Sequence, residues 1–206
     1  MPYLRMSEAH RWGELAIRER NKTAGEILAE ESSRALKSDH FDVFLSHSFE
    51  DALAILGVKR IMESFGLTVY VDWIVDKDLD RDDVNVNTAR VLRERMDQSS
   101  SLVYAHSKNS GRSAWMPWEL GYCDGKRPSF VWILPIVELY DTEFKRQEYL
   151  CLYPVIEVID VPALFGSGRT LGFADVNWRS PQDPGYDLLL TEALRGSGVH
   201  TTGLRG

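Results

Sequence analysis

Short apolar segments alternating with amphipathic segments of helical period predict an α/β fold: a five-stranded parallel sheet flanked by helices, with an extra helix at the N-terminus. Three observations carry this. The apolar segments are continuous rather than alternating, as for strands covered on both faces. The stretches between them repeat their apolar residues at helical spacing. The chain has 206 residues, 44% hydrophobic and 27% charged, which are values of a globular protein with a sizeable core.

The elements follow in order. Ser7 to Lys37 reads as one helix, with Trp12, Leu15, Ala16, Ile27 and Leu28 among Glu and Arg. It fits a helix docked on the domain and a helix used for self-association. Phe41-Asp42-Val43-Phe44-Leu45-Ser46 is the first strand. Ala52 to Phe65 is a helix that Gly66 can end. Leu67 to Asp72 is a second strand, Thr88 to Gln98 a helix, and Leu102 to Ala105 a third strand. Trp115 to Tyr122 is a short helix; Pro117 has no N–H and belongs in its first turn. Phe130 to Leu134 and Val155 to Ile159 are the fourth and fifth strands. Past Asp160, Gly166-Ser167-Gly168 and Pro181 to Gly185 read as loop. Tyr186 to Leu194 fits one last helix, and 196–206 a mobile tail. The expected division is a helical extension over 1–40, a domain over 41–160, and a loop, helix and tail over 161–206.

Charge and composition exclude several classes. The net charge is −7, and no Lys/Arg stripe offers itself to a phosphate backbone, so nucleic acid is not an expected partner. Cys123 and Cys151 lie in no ligand spacing, so no metal site is expected. Free thiols, no apolar leader and no apolar run long enough to span a bilayer together read as cytoplasmic and not membrane-bound. Asp76, Asp78, Asp80, Asp82 and Asp83 alternate in the loop from Trp73 to Asn87. An EF-hand starting at Asp76 would put Arg81 at the glycine position and Asn87 at the bidentate glutamate, so calcium is rejected. No Gly-rich phosphate loop and no Gly-x-Ser-x-Gly elbow is present.

In an open parallel sheet, ligands bind outside the carboxyl ends of the strands. There the sequence places Ser46, His47, Ser48 and Phe49 after the first strand. Asp72 and Trp73 follow the second. His106, Ser107 and Lys108 follow the third and lead to Arg112, Trp115 and Glu119. Residues distant in sequence are gathered along one edge. His47 fits both a structural loop histidine and a ligand contact. Phe49 fits both a buried helix start and a substrate contact.

The segment Phe41-Asp42-Val43-Phe44-Leu45-Ser46-His47-Ser48-Phe49-Glu50-Asp51 resembles the opening box of bacterial TIR domains. Ser113-x-Trp115-x-x-x-Glu119-Leu120 resembles the TIR segment that carries the catalytic glutamate of NAD-cleaving members. The resemblance covers about 41–159 and implies the flavodoxin-like TIR fold. It implies cleavage of the nicotinamide N-glycosidic bond of NAD, with Glu119 catalytic and NAD as substrate rather than cofactor. Ser46, His47, Ser48, Phe49, Asp72, Trp73, Arg112 and Trp115 are the implied substrate-binding residues. The chemistry suits a carboxylate, because bond cleavage leaves oxocarbenium-like charge on the ribose. Products consistent with this reading are ADP-ribose, a cyclic isomer or a conjugate. The resemblance also implies self-association through TIR surfaces. It further implies a separate effector that senses the product, as in antiphage systems of the Thoeris type. A non-enzymatic TIR–TIR interaction module is the alternative, and adaptors of that kind commonly lack the acid found at Glu119. Nucleoside deoxyribosyl transfer uses a related sheet, but the Ser-His-Ser box and the Trp-x-x-x-Glu spacing argue against it.

Overall fold

Strand β2 (Phe41–Ser46) lies between β3 (Val69–Val71) at the edge of the sheet and β4 (Ser99–His106), all parallel. Beyond β4 come β5 (Val131–Val137) and β6 (Val155–Val161), also parallel. The order β3-β2-β4-β5-β6 is the flavodoxin-like one. This computed structural model describes residues 3–35, 39–73, 86–141, 144, 147–161 and 168–174. The acidic loop at 76–83, the last expected helix and the expected tail lie outside the described residues.

Two strands extend the expected sheet. β1 (Leu4–Arg5) pairs in parallel with Ile136 and Val137 of β5. β7 (Gly168–Ala174) runs antiparallel to β6. The glycine signal at 166–168 had read as loop throughout; β7 begins at Gly168 itself, because pairing with β6 satisfies its backbone. β4 is twice the expected length. Its opening serines hide their polarity by hydrogen bonding: Ser99 Oγ donates to the Arg95 carbonyl at 2.9 Å and Ser101 Oγ to the Asp42 carbonyl at 2.8 Å. β5 continues past Leu134 through Pro135, which stands opposite His106.

Residues alternate between the two faces of the sheet. Val43, Leu45, Val69, Val71, Val103 and Leu134 form one core with the helices α1 (Met6–Arg20), α2 (Ala24–Ser33) and α3 (Ala52–Ser64). Phe44, Tyr70, Leu102, Tyr104 and Ile133 form the other with α4 (Val86–Asp97) and α5 (Trp115–Lys126). α3 ends where Gly66 takes a φ of 79°.

The single N-terminal helix expected over 7–37 is two helices, with 36–37 outside the described residues. Asn21 turns left-handed at φ 51°, and Thr23 starts α2. The Thr23 hydroxyl accepts from the Glu26 N–H at 3.3 Å, and Glu26 accepts from the Thr23 N–H at 2.8 Å. This capping box was readable in Thr23-x-x-Glu26. Both helices are docked on the domain. α1 crosses α3 almost backbone to backbone: a Cβ on Gly57 would stand 1.8 Å from the Ala9 carbonyl oxygen. Glu31 on α2 adds ion pairs to Arg20 of α1 and to Lys59 and Arg60 of α3.

Candidate active site at the carboxyl edge of the sheet

The chain leaves β2 toward β3 on one side, while β4 lies on the other. This switch of direction opens a crevice outside the carboxyl ends of β2 and β4. Ser46, the last residue of β2, stands opposite Tyr104 of β4. α5 lies over the same face and brings Glu119 down onto it. Ser46 Oγ donates to Glu119 Oε2 at 2.6 Å. Both residues are buried, with Glu119 only 5% exposed. A carboxylate in such a place needs donors, and Ser46 supplies one.

The groups around Glu119 are held in their neutral forms. Burial pushes the Tyr104 phenol well above its ordinary range, helped by Tyr149 and by the negative charge of Glu119. Cys123, one helical turn beyond Glu119, is pushed up to about 12, chiefly by burial, with Glu119 adding to it. Its thiol is therefore un-ionised at neutral pH and a poor nucleophile. His106 is held below its ordinary value by burial and packs edge-on against Phe144.

The loop after β2 builds a second wall. His47 is buried, and its Nδ1 donates to the Leu45 carbonyl at 3.0 Å. Trp73 stacks with two rings, His47 at 5.2 Å and Phe49 at 4.4 Å. Trp73 itself is 2% exposed and backs onto Gly25 of α2, so it supports the wall from behind. Phe49 is 43% exposed and presents its outer face to solvent; it is not a buried helix start. Ser48 is buried and leads into a short 3₁₀ turn over Phe49–Asp51.

The remaining expected residues are dispersed differently. Trp115 is the first residue of α5, and Pro117 falls in the first turn as expected. Trp115 and Glu119 are thus four apart within one helix, on neighbouring turns of one face. Trp118 is half-buried at the rim of the core, stacked on Tyr122 with Arg93 over its ring. Arg112 is exposed and bound to Glu50, at 2.8 and 3.1 Å to the two carboxylate oxygens. Asp72 is half-buried beyond the end of β3, and its charge helps burial push the Tyr70 phenol to about 12.

One polar cluster was not anticipated as part of the site. Asp51 is buried and accepts from Ser107 Oγ and, at 2.6 Å, from Asn109 Nδ2. The Ser107 N–H donates to Ser110 Oγ at 2.8 Å, and the Asn109 N–H to Ser107 Oγ at 3.0 Å. Asp51 closes the opening box, but the sequence marks it only as an acid near a helix start. Tyr104 and Tyr149 carried no signal of their own.

No family model matches the chain. It is 50% identical over 137 residues to a protein of Bacillus cereus (strain MSX-D12) named a probable 3′ cyclic ADP-D-ribose synthase, ThsB′; the match covers 66% of this chain and 70% of that one. It is 34% identical over 93 residues to a protein of Cytobacillus dafuensis named a putative cyclic ADP-D-ribose synthase, TIR2. That match covers 45% of this chain and 24% of that one. With half the matched residues identical over 70% of ThsB′, and with a flavodoxin-like sheet carrying Glu119 at its switch point, the chain belongs to the bacterial TIR-domain family.

Proposed function

We propose that this chain is an NAD-cleaving enzyme that releases nicotinamide and closes the remaining ADP-ribose into a cyclic isomer. The observation that carries the reading is the buried Ser46–Glu119 pair at the switch point of a chain that over two thirds of its length is 50% identical to a probable cyclic ADP-D-ribose synthase. The bond between ribose C1 and the nicotinamide nitrogen breaks, and its electron pair leaves with neutral nicotinamide. The ribose keeps the positive charge. Glu119 stabilises that charge as a fixed carboxylate, its Oε2 held by Ser46. A ribose hydroxyl at the other end of the molecule then captures C1 and releases its proton, which closes the ring. The 3′ designation of ThsB′ favours a 3′ closure. Capture by water gives linear ADP-ribose instead, so ring closure requires that water be kept out. His47, Ser48 and Phe49 line the mouth, with Trp73 behind them and Trp115 opposite. Arg112 suits the diphosphate.

The reading extends to a role as signal producer in antiphage defence of the Thoeris type, with a separate effector sensing the product and self-association completing the site. No described helix is long and apolar enough to cross a membrane, which is compatible with a cytoplasmic place of action. Mass spectrometry of the purified protein incubated with NAD tests the enzyme directly. Nicotinamide with a cyclic ADP-ribose isomer is expected. Intact NAD at every protein concentration would favour the non-enzymatic interaction module. Turnover per molecule that rises with protein concentration is expected if a second copy completes the site.

A further inference from the structure

We propose that Asp51 is a positioning residue for the reaction: it sets the width of the crevice in which Glu119 works. This rests on the NAD-cleaving reading of the same site. Two buried cross-links join the β2–α3 segment to the β4–α5 segment, beside the exposed Arg112–Glu50 ion pair. The first is Ser46 to Glu119, from the end of β2 to the second turn of α5. The second is Asp51 to Ser107 and Asn109, from the turn before α3 to the loop after β4. Both cross the switch point, one on each side of the exposed loop that holds Phe49.

Both carboxylate oxygens of Asp51 are engaged, and Asp51, Ser107 and Ser110 are all buried. Ser110 Oγ, which takes the Ser107 N–H, donates in turn to the Ala105 carbonyl at 3.2 Å. The loop is thereby folded back on the end of β4. From there the chain runs through Arg112 to Trp115 and Glu119. A buried network with every member satisfied is rigid, and one lost acceptor leaves several donors unmatched. Without Asp51, the one buried cross-link left to hold Glu119 against the ribose is the Ser46 bond, since the Arg112–Glu50 pair is exposed and weak. Displacement of a reacting group by about 1 Å costs on the order of a hundredfold in rate.

Nicotinamide release at saturating NAD, measured for Asp51→Ala, Ser107→Ala and the double variant, tests this, with thermal melting alongside. The expected result is a fall of about thirtyfold or more in kcat for Asp51→Ala. KM should stay within about threefold, and the double variant should be no slower than Asp51→Ala, because the Asp51–Ser107 bond is already lost in Asp51→Ala. Asp51→Asn, which keeps the shape and one acceptor, should recover part of the rate. If Asp51→Ala does not fold, Ser107→Ala combined with Asn109→Ala removes the same bonds from the other side and must show the same loss of kcat. A kcat within threefold of wild type in the folded variant, or losses that multiply in the double variant, would overturn the proposal. Wild-type protein that releases no nicotinamide would instead overturn the NAD-cleaving reading itself.

Discussion

Ser46 donates its hydroxyl to Glu119 across the gap between the end of β2 and helix α5, at 2.6 Å and out of contact with solvent. The bond does two things at once. It satisfies one oxygen of a buried carboxylate, and it fixes where that carboxylate points. Glu119→Gln keeps an acceptor for Ser46 but removes the charge proposed to stabilise the ribose cation. Nicotinamide release should fall below detection while the melting temperature stays within a few degrees; chromatography of the products and a thermal melt decide it. Ser46→Ala keeps the charge and loses its donor. It should cost about 1–3 kcal/mol of stability and lower kcat by about tenfold or more.

Trp73 and Gly25 define how the N-terminal helices reach the site. The Trp73 indole packs toward α2 on one side and carries His47 and Phe49 on the other. Trp73→Ala leaves a cavity and should destabilise the fold by about 3–5 kcal/mol, read from denaturant unfolding. Trp73→Phe preserves a ring for stacking. It should retain most of that stability and lose activity mainly through KM.

The crossing of α1 and α3 tolerates no side chain. A Cβ on Gly57 meets a backbone oxygen at 1.8 Å, and one on Gly13 meets the Leu53 carbonyl oxygen at 2.3 Å. Backbone cannot rotate away as a long side chain can. Gly57→Ala should therefore destabilise by roughly 1–3 kcal/mol or more, despite its better helix propensity. Urea unfolding measures this, and hydrogen exchange should show α1 opening first. An unchanged or raised midpoint would mean that the helices do not pack this closely in solution.

His106 gives stability a pH dependence of its own. Its folded pKa is lowered from 6.5 by burial, so the unfolded chain binds the proton more readily. Stability is full above about pH 6.5 and declines as pH falls from there through the folded pKa. Melting temperatures between pH 8 and pH 5 should show that decline, and His106→Leu should flatten it. The carboxylates with lowered pKa, Glu26, Glu30 and Glu31, lose their contribution only below about pH 4.5, so the windows are separate.

The sequence by itself determined the class of fold, because strands buried on both faces and helices buried on one leave periodic apolar patterns that need no partner to be read. It also singled out Glu119, which lies buried in α5 four residues after Trp115. The break at Asn21–Thr23 is written in the capping box, although the apolar periodicity runs on across it. Only the tertiary structure decided the rest. β1 and β7 are strands because neighbouring strands complete their hydrogen bonds, and a two-residue segment or a glycine-flanked one carries no pattern of its own. Trp73 became a buried support rather than an open surface because α2 folds back over it. Asp51 became the clamp of the crevice because Ser107 and Asn109, more than fifty residues away, arrive with donors for both its oxygens. Hydrogen bonds between distant segments depend on distances set by packing, and packing leaves no period in the chain.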